Sequence, residues 1–158
     1  MMITDEVQRY IKNCVLCWLA TSNLDSEPNV SPKEVFTHKD NSTLLICNIA
    51  SPISALNILQ NPKVCVSFID IFIQKGFKLK GFARIIEKNH DHFDVLIKFF
   101  DPSIISIFPI KSIIHIDVKE VQRIMAPSYQ IFPTRTEDFQ RKLAMKNYNV
   151  TEIPPYEF

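Results

Sequence analysis

Glycine is nearly absent from this chain of 158 residues, in which only Gly76 and Gly81 occur. The phosphate loops of dinucleotide-binding and P-loop proteins need several closely spaced glycines, because their backbone turns sharply against the phosphate. Neither loop can be built here, so both of these large enzyme classes are excluded.

An excess of charge and a long apolar run are also missing. Eighteen basic and seventeen acidic side chains give a formal net charge of +1, so no global field attracts a polyanion. No apolar stretch approaches the roughly 18 residues that a membrane span requires, and no hydrolase or zinc-protease motif occurs. We therefore predict a cytoplasmic protein that does not associate with membranes and forms a single domain over residues 1–158.

Patterns typical of metal or redox centres are weak. Cys14 and Cys17 have the spacing of half a zinc site, but the other two cysteines are singletons. His90 and His92 stand close together, yet positions two apart lie about 200° apart around a helix. We therefore predict no metal site and interpret the cysteines as structural.

One basic stripe is compatible with nucleic-acid binding. Alternation over residues 77–87 places Lys78, Lys80 and Arg84 on one face together with Phe82. Such a stripe can hold a single strand, but a solvated outer face has the same composition. Because the net charge is only +1, counterion release would be small, and we predict no nucleic-acid partner.

Short β-rich runs separated by turns predict five or six strands broken by short helices. Helices are predicted at both ends, the first capped by Thr4 and the last by a capping box over Thr134–Glu137. Ser51 and Pro52 predict a further helix that Pro62 ends. Strands adjacent in sequence are too tightly joined for parallel crossovers. The predicted fold class is therefore mainly β with short helices (α+β), closed and antiparallel.

Two details of this scheme concern the longer strands. A strand is predicted over 29–36, and a hairpin is predicted over 63–87 with its turn at 74–76. In the last strand His115 alternates with core isoleucines, so we expect it on the outer face.

The helix start at Ser51 is the strongest signal for binding. Residues 53–55 would contribute free N–H groups, and Ser51 and Ser54 would contribute hydroxyls, near the positive end of the helix dipole. Lys33, on a neighbouring strand, is the nearest cation by topology for a phosphate at this place. The pattern leaves two interpretations open, an anion site and an ordinary N-cap beside a surface lysine.

Five short motifs follow one another in a fixed order between about residues 15 and 88. They are Trp18–Ser22, Glu27–Lys33, Cys47–Pro52, Asn57 with Asn61–Val66, and Gly81–Ala83. This series resembles the pyridoxamine 5'-phosphate oxidase-like, FMN-binding split-barrel family. The resemblance implies a six-stranded antiparallel split β-barrel that forms a homodimer, with FMN bound in clefts at the subunit interface.

The resemblance also implies which residues hold the cofactor. The flavin phosphate would be held from the second strand and the helix entry by Ser31, Lys33, Ser51, Ser54 and Asn57. The flavin ring would meet the end of the third strand at Cys47, Asn48 and Ile49. The hairpin that carries Gln74 and Lys75 would lie at the cleft and reach the partner subunit's flavin.

We accordingly predict an FMN-binding flavoprotein, an oxidoreductase that acts on an unknown small molecule or electron donor. No catalytic residue is assigned, because the flavin itself accepts the hydride. A non-catalytic flavin-binding or redox-sensing protein and a haem or deazaflavin binder on the same barrel remain alternatives.

Two segments depart from the family pattern. The oxidases present an Arg-Lys pair after the helix-entry serine, whereas residues 52–55 include no basic side chain. Phosphate affinity would therefore depend on Lys33 and helix N–H groups. Residues 149–158 do not resemble the segment that grips the vitamin substrate, so vitamin B6 oxidation is not expected. Tyr129 and Phe132 are candidates for a lid over the cleft, with surface packing as the alternative.

Overall fold

Seven antiparallel strands form one curved sheet in the computed structural model, which describes residues 2–151. The strands are β1 (Cys17–Ser22), β2 (Pro28–Lys33), β3 (Phe36–Asp40), β4 (Thr43–Asn48), β5 (Lys63–Asp70), β6 (Lys75–Glu87) and β7 (Ser112–Met125). Their order across the sheet is β2-β1-β5-β6-β7-β4-β3. The predicted class, mainly β and antiparallel with short helices, is confirmed, but the predicted number of six strands is one too few.

The sheet curls into a barrel because its two edge strands follow each other in the chain. β2 ends at Lys33 and β3 begins at Phe36, so only Glu34 and Val35 join the two edges. Three Cα–Cα steps of about 3.8 Å span at most about 11 Å, so the edges must become neighbours. The single strand predicted over 29–36 is therefore two strands, and the barrel is split between them.

Six short helices and one 3₁₀ turn cover this barrel within the described residues. They are α1 (Asp5–Asn13), α2 (Pro52–Gln60), α3 (Phe93–Leu96), the 3₁₀ turn (Ile97–Phe99), α4 (Pro102–Ile105), α5 (Ser128–Ile131) and α6 (Glu137–Tyr148). Thr4 caps α1 as predicted, since its hydroxyl accepts a hydrogen bond from Val7 N–H at 3.5 Å. α6 is capped by Thr136 rather than Thr134, because Thr136 Oγ1 accepts from Phe139 N–H at 3.2 Å. No helix among residues 2–151 is both long enough and apolar enough to cross a bilayer.

Hydrophobic clusters lie on both faces of β4 and β7. Inside the barrel, Val7 of α1 belongs to the same cluster as Leu44 and Ile114. On the outer face, Leu45 and Ile113 belong to a second cluster, which residues of α3 and α4 cover. All six residues of β4 are buried as a result.

His115 lies on the outer face of β7, as predicted, but it is buried there, with only 4% of its surface exposed. The outer face of β7 is itself covered, since Ile113 on that face packs in the second cluster. An arginine completes the cover, because Arg84 Nη2 lies 3.0 Å from His115 Nε2. In a strand that is buried on both faces, the hydrophobicity of a residue does not reliably show whether its side chain is exposed.

The turn between β5 and β6 lies earlier than predicted. It occupies residues 71–74, and β6 begins at Lys75 instead of after a turn at 74–76. Asp70 fixes this geometry, because its Oδ1 accepts the N–H of Phe72 at 2.9 Å. A hydrogen bond from a backbone N–H to an aspartate side chain two residues earlier is typical of a tight turn.

Candidate cofactor site

Lys33 and two serines meet at the junction of β2 and α2. Side chains alternate along a strand, so Asn29, Ser31 and Lys33 share one face of β2, the face turned towards α2. Lys33 Nζ donates to Ser31 Oγ at 2.5 Å and also to Ser51 Oγ. The two serine oxygens lie 3.1 Å apart. The structure therefore brings together three of the residues predicted to hold a phosphate, and we call Ser31, Lys33 and Ser51 the lysine–serine cluster.

Lys33 carries a buried charge that no acid among the described residues neutralises. Only 5% of the residue is exposed, and among residues 2–151 it forms no ion pair with a carboxylate. Burial lowers the pKa of Lys33 from its ordinary value of 10.5, because leaving water disfavours the ammonium form. A buried cation without a counter-ion is costly, and an anion bound beside it would remove that cost.

The start of α2 adds further donors beside this amine. Pro52 has no N–H, and helix geometry leaves the N–H groups of Ile53 and Ser54 without an intrahelical acceptor. Ser51 occupies the N-cap position, but its hydroxyl caps no N–H group of α2 and instead contacts Lys33. An ammonium, hydroxyls and helix N–H groups in one place are the donor set that suits a phosphate.

Ser54 and Asn57 belong to a buried polar network that holds α2 against the barrel. Asn29 Nδ2 donates to Ser54 Oγ and to Thr21 Oγ1, each at 3.2 Å. Asn57 Nδ2 donates to Thr21 Oγ1 at 3.1 Å. Asn29 and Thr21 were not among the predicted site residues. Asn29 could have been found, because it lies two positions before Ser31 on the same face of an alternating strand.

The end of β4 is connected to the lysine–serine cluster through Asn48. Its Oδ1 accepts the N–H of Ser51 at 3.3 Å, and its Nδ2 donates to Ser112 Oγ at 3.0 Å. Cys47 is buried in the second hydrophobic cluster, where burial raises the pKa of its thiol to about 12. Ile49 packs against the same cluster. Asn48 is therefore the polar link between β4 and the helix entry.

Gln74 and Lys75 are not joined to this cluster by any hydrogen bond or ion pair of the described chain. Gln74 immediately precedes β6 and has a left-handed backbone conformation, with φ 55°. Asn48 is aligned, through its pairing with β7, with the opposite end of β6. Lys75 Nζ pairs with Glu137 Oε1 at 2.7 Å and lies 4.4 Å from the ring centre of Tyr129. Tyr129, in α5, thus packs on the β5–β6 hairpin of the same chain, which is the surface-packing alternative to the predicted lid.

Two surface cavities, of about 640 and 840 Å³, occur in the described chain. None of the ten residues predicted to hold the cofactor lines either cavity. The lysine–serine cluster is thus separate from both.

The CxxC pair has the properties of core thiols. Burial raises the pKa of Cys14 to about 11 and that of Cys17 to about 12, so both stay protonated at neutral pH. Within residues 2–151 no three His, Cys, Asp or Glu side chains come together in a way that could hold a metal ion.

Most of the barrel matches the model of a known protein family. The family model described as pyridoxamine 5'-phosphate oxidase matches residues 3–125. The chain belongs to this family. No curated protein matches it at a significant level.

Solved structures share the fold of this family member at low sequence identity. HupZ of Group A Streptococcus is 23% identical, and the match covers 76% of this chain and 92% of HupZ with a TM-score of 0.66. An FMN-binding protein of Syntrophomonas wolfei is 14% identical over 77% of this chain and 86% of its own, with a TM-score of 0.66. HutZ, a haem storage protein of Vibrio cholerae, is 15% identical over 78% and 96%, with a TM-score of 0.59. At these identities the likeness establishes the split-barrel fold and leaves the ligand open.

Proposed function

We propose that the protein is a cytoplasmic, homodimeric FMN-binding oxidoreductase whose flavin phosphate binds at the lysine–serine cluster. The observation that carries this proposal is the buried ammonium of Lys33, which lies beside two serine hydroxyls and has no acidic partner among residues 2–151. A phosphomonoester carries nearly two negative charges at neutral pH and would provide the missing counter-ion.

The donors around Lys33 fit the phosphate of FMN. The hydroxyls of Ser31 and Ser51 would each donate to a phosphate oxygen, and the N–H groups at the start of α2 would donate to the others. Ser54 and Asn57 would support this arrangement by fixing α2 against β1 and β2. Because residues 52–55 contain no basic side chain, the charge of Lys33 would carry most of the electrostatic attraction.

The ring system of FMN would lie beyond the phosphate, towards the end of β4. There the backbone of Cys47, Asn48 and Ile49 would face it, with Asn48 held in position by Ser112. Bound FMN supplies the capacity to accept a hydride, and the residues of this chain bind and orient the cofactor.

A second copy of the chain would complete this site. α2 exposes large apolar side chains three residues apart, with Ile53 at 60%, Leu56 at 55% and Leu59 at 71% exposure. Burying such a helix face against a partner is favourable, at about 25 cal/mol per Å² of apolar surface. A partner in this position would also explain why Gln74 and Lys75 lie apart from the cluster in one chain, since the partner subunit would supply them.

The basic test is the visible spectrum of the purified protein and the mass of any chromophore released by denaturation. A flavin spectrum with release of FMN, or uptake of added FMN by a colourless sample, supports the proposal. Release of haem or a deazaflavin, or failure to bind FMN, contradicts it. Turnover of an acceptor with a nicotinamide cofactor would separate an oxidoreductase from a non-catalytic flavin binder.

Paired lysine variants locate the phosphate. Lys33→Ala should lose at least about ten-fold in FMN affinity, since a hydrogen bond to a charged group contributes about 1.5–3 kcal/mol. Lys63→Ala is the matched control, because Lys63 is an exposed lysine at the start of β5. Equal FMN affinity in both variants would contradict the placement at Lys33.

A further inference from the structure

We propose that the larger cavity is a second small-molecule site, which binds an aromatic carboxylate and is separate from the proposed flavin site. It measures about 840 Å³, within the size range of pockets that bind small organic ligands. Its walls come from the end of α1, the start of β1, the turn between β5 and β6, and α6. The residues that carry the argument are Tyr10, Val15, Trp18, Phe72, Arg9 and Arg141.

The walls of this cavity are mostly apolar, and several of its large apolar side chains are exposed. Val15 is 81% exposed, Ile71 is 49% exposed and Trp18 is 45% exposed, although all three are large apolar residues. Tyr10 and Phe72 add two further aromatic rings to the lining. Aromatic side chains in the lining favour an aromatic ligand, because stacked and edge-to-face ring contacts add binding energy to that gained by burying apolar surface.

The charged groups of the lining favour an anion. Two guanidinium groups, Arg9 and Arg141, line the cavity together with one carboxylate, Asp70. Asp70 is already engaged, because its Oδ1 accepts the N–H of Phe72 and its Oδ2 lies 3.5 Å from Arg141. The lining therefore carries an excess of positive charge, and the planar fork of arginine matches a carboxylate.

The cavity and the lysine–serine cluster lie on opposite faces of β1. Cys17 is opposite Lys33 in the β1–β2 register, and its fully buried side chain belongs to the barrel core. Trp18 follows it and points to the other face, where it lines the cavity. The occupant of the cavity should therefore bind without displacing FMN from the lysine–serine cluster of the same chain.

The test uses 2-naphthoate as the probe, with the neutral 2-naphthamide as its isostere, and calorimetry on the full chain saturated with FMN or free of it. We expect one molecule of 2-naphthoate per chain and a change in the emission of Trp18, the only tryptophan. Loss of a charge-assisted hydrogen bond should make Arg141→Gln bind about ten-fold more weakly. Arg9→Gln removes the other positive charge of the lining, which lies on α1, and gives an independent test if the Arg141→Gln substitution disturbs α6. Arg135→Gln is the matched control, because Arg135 packs on Phe132 away from the cavity.

Val15→Trp should weaken probe binding by narrowing the cavity while leaving FMN affinity unchanged. Four results would overturn the proposal: no probe binding, equal affinity for the amide and the carboxylate, one-for-one displacement of the probe by FMN, or a probe affinity that Val15→Trp does not change. Conversion of a dimer to monomers by Val15→Trp would also overturn it, because a second copy would then cover these walls. Failure of FMN to bind at all, with the probe still bound, would reject the proposed function and leave this site intact.

Discussion

Lys33 Nζ is hydrogen bonded to Ser51 Oγ across the junction of β2 and α2, although neither residue carries negative charge. The contact joins an edge strand to a helix start that lies 18 residues later in the chain. A lysine placed in this way does not gain the stability of an ion pair. Its position is best explained by an anion that binds beside it, and this explanation makes opposite predictions for stability and for binding.

Lys33→Met should stabilise the protein in the absence of FMN, by about 1–3 kcal/mol, because the unpaired charge is replaced by an apolar chain of similar length. The two serine hydroxyls can still bond to each other across 3.1 Å. Urea unfolding of flavin-free protein measures the change, with Lys63→Met as the exposed control. A large loss of stability in Lys33→Met would mean that the lysine is structural.

Leu56→Glu should convert the proposed dimer into monomers, because a charge in the centre of a buried apolar helix face lacks a partner. Sedimentation velocity measures the oligomeric state, and flavin fluorescence measures retention of FMN in the same sample. Leu24→Glu is the control, since Leu24 is 72% exposed in the turn between β1 and β2. A Leu56→Glu protein that remains dimeric would place the interface elsewhere.

His115 should make the protein less stable in mild acid. Burial lowers its pKa from 6.5, and the cations Arg84 and Lys39 lower it further, while Asp117 opposes them. Below pH 6.5 His115 is therefore protonated in the unfolded chain but still neutral in the folded chain. The free energy of unfolding falls as the pH decreases, until the pH reaches the lowered pKa of the folded state.

Urea unfolding between about pH 5 and 8 measures this slope, and NMR titration of the imidazole gives the pKa directly. His115→Gln should flatten the slope, whereas His90→Gln, which changes an exposed histidine, should leave it unchanged. A folded pKa of His115 at or above 6.5 would contradict the account.

Gly81→Ala should destabilise the barrel by about 2–4 kcal/mol, in the range of overpacking and backbone strain. An added Cβ would lie 2.2 Å from the carbonyl oxygen of Asp117, next to the irregularity between Lys80 and Gly81. Lys80→Ala is the neighbouring control on the exposed face. Thermal unfolding compares the two, and equal stability would show that the strand pair can separate at this point without cost.

Local patterns predicted the class of the fold, but they could not predict how the sheet closes. Residues 29–36 look like one strand because the connection between β2 and β3 is only two residues long. That the two strands occupy opposite edges depends on the pairing of β1 with β5 and of β4 with β7, which are distant in sequence. The burial of His115 on its outer face was not predicted for a related reason, since periodicity does not show that a strand is covered on both faces.

The candidate site was predictable where residue type and helix capping carry the signal, as at Ser51 and Lys33. The burial of Lys33 and the lack of an acidic partner for it in the described part of the chain were not predictable, because both depend on how α2 lies across β2. The network through Thr21 and Asn29 was missed, since neutral amides and hydroxyls in strands resemble ordinary surface residues.

The most direct test compares the affinities of FMN and riboflavin, which differ only in the phosphate, for the wild-type protein and for Lys33→Met. We expect the wild-type protein to prefer FMN by about 100-fold, and we expect Lys33→Met to reduce this preference by at least about ten-fold while riboflavin affinity stays the same. Equal affinities for FMN and riboflavin, or a preference that Lys33→Met leaves unchanged, would contradict the proposed phosphate site at Lys33.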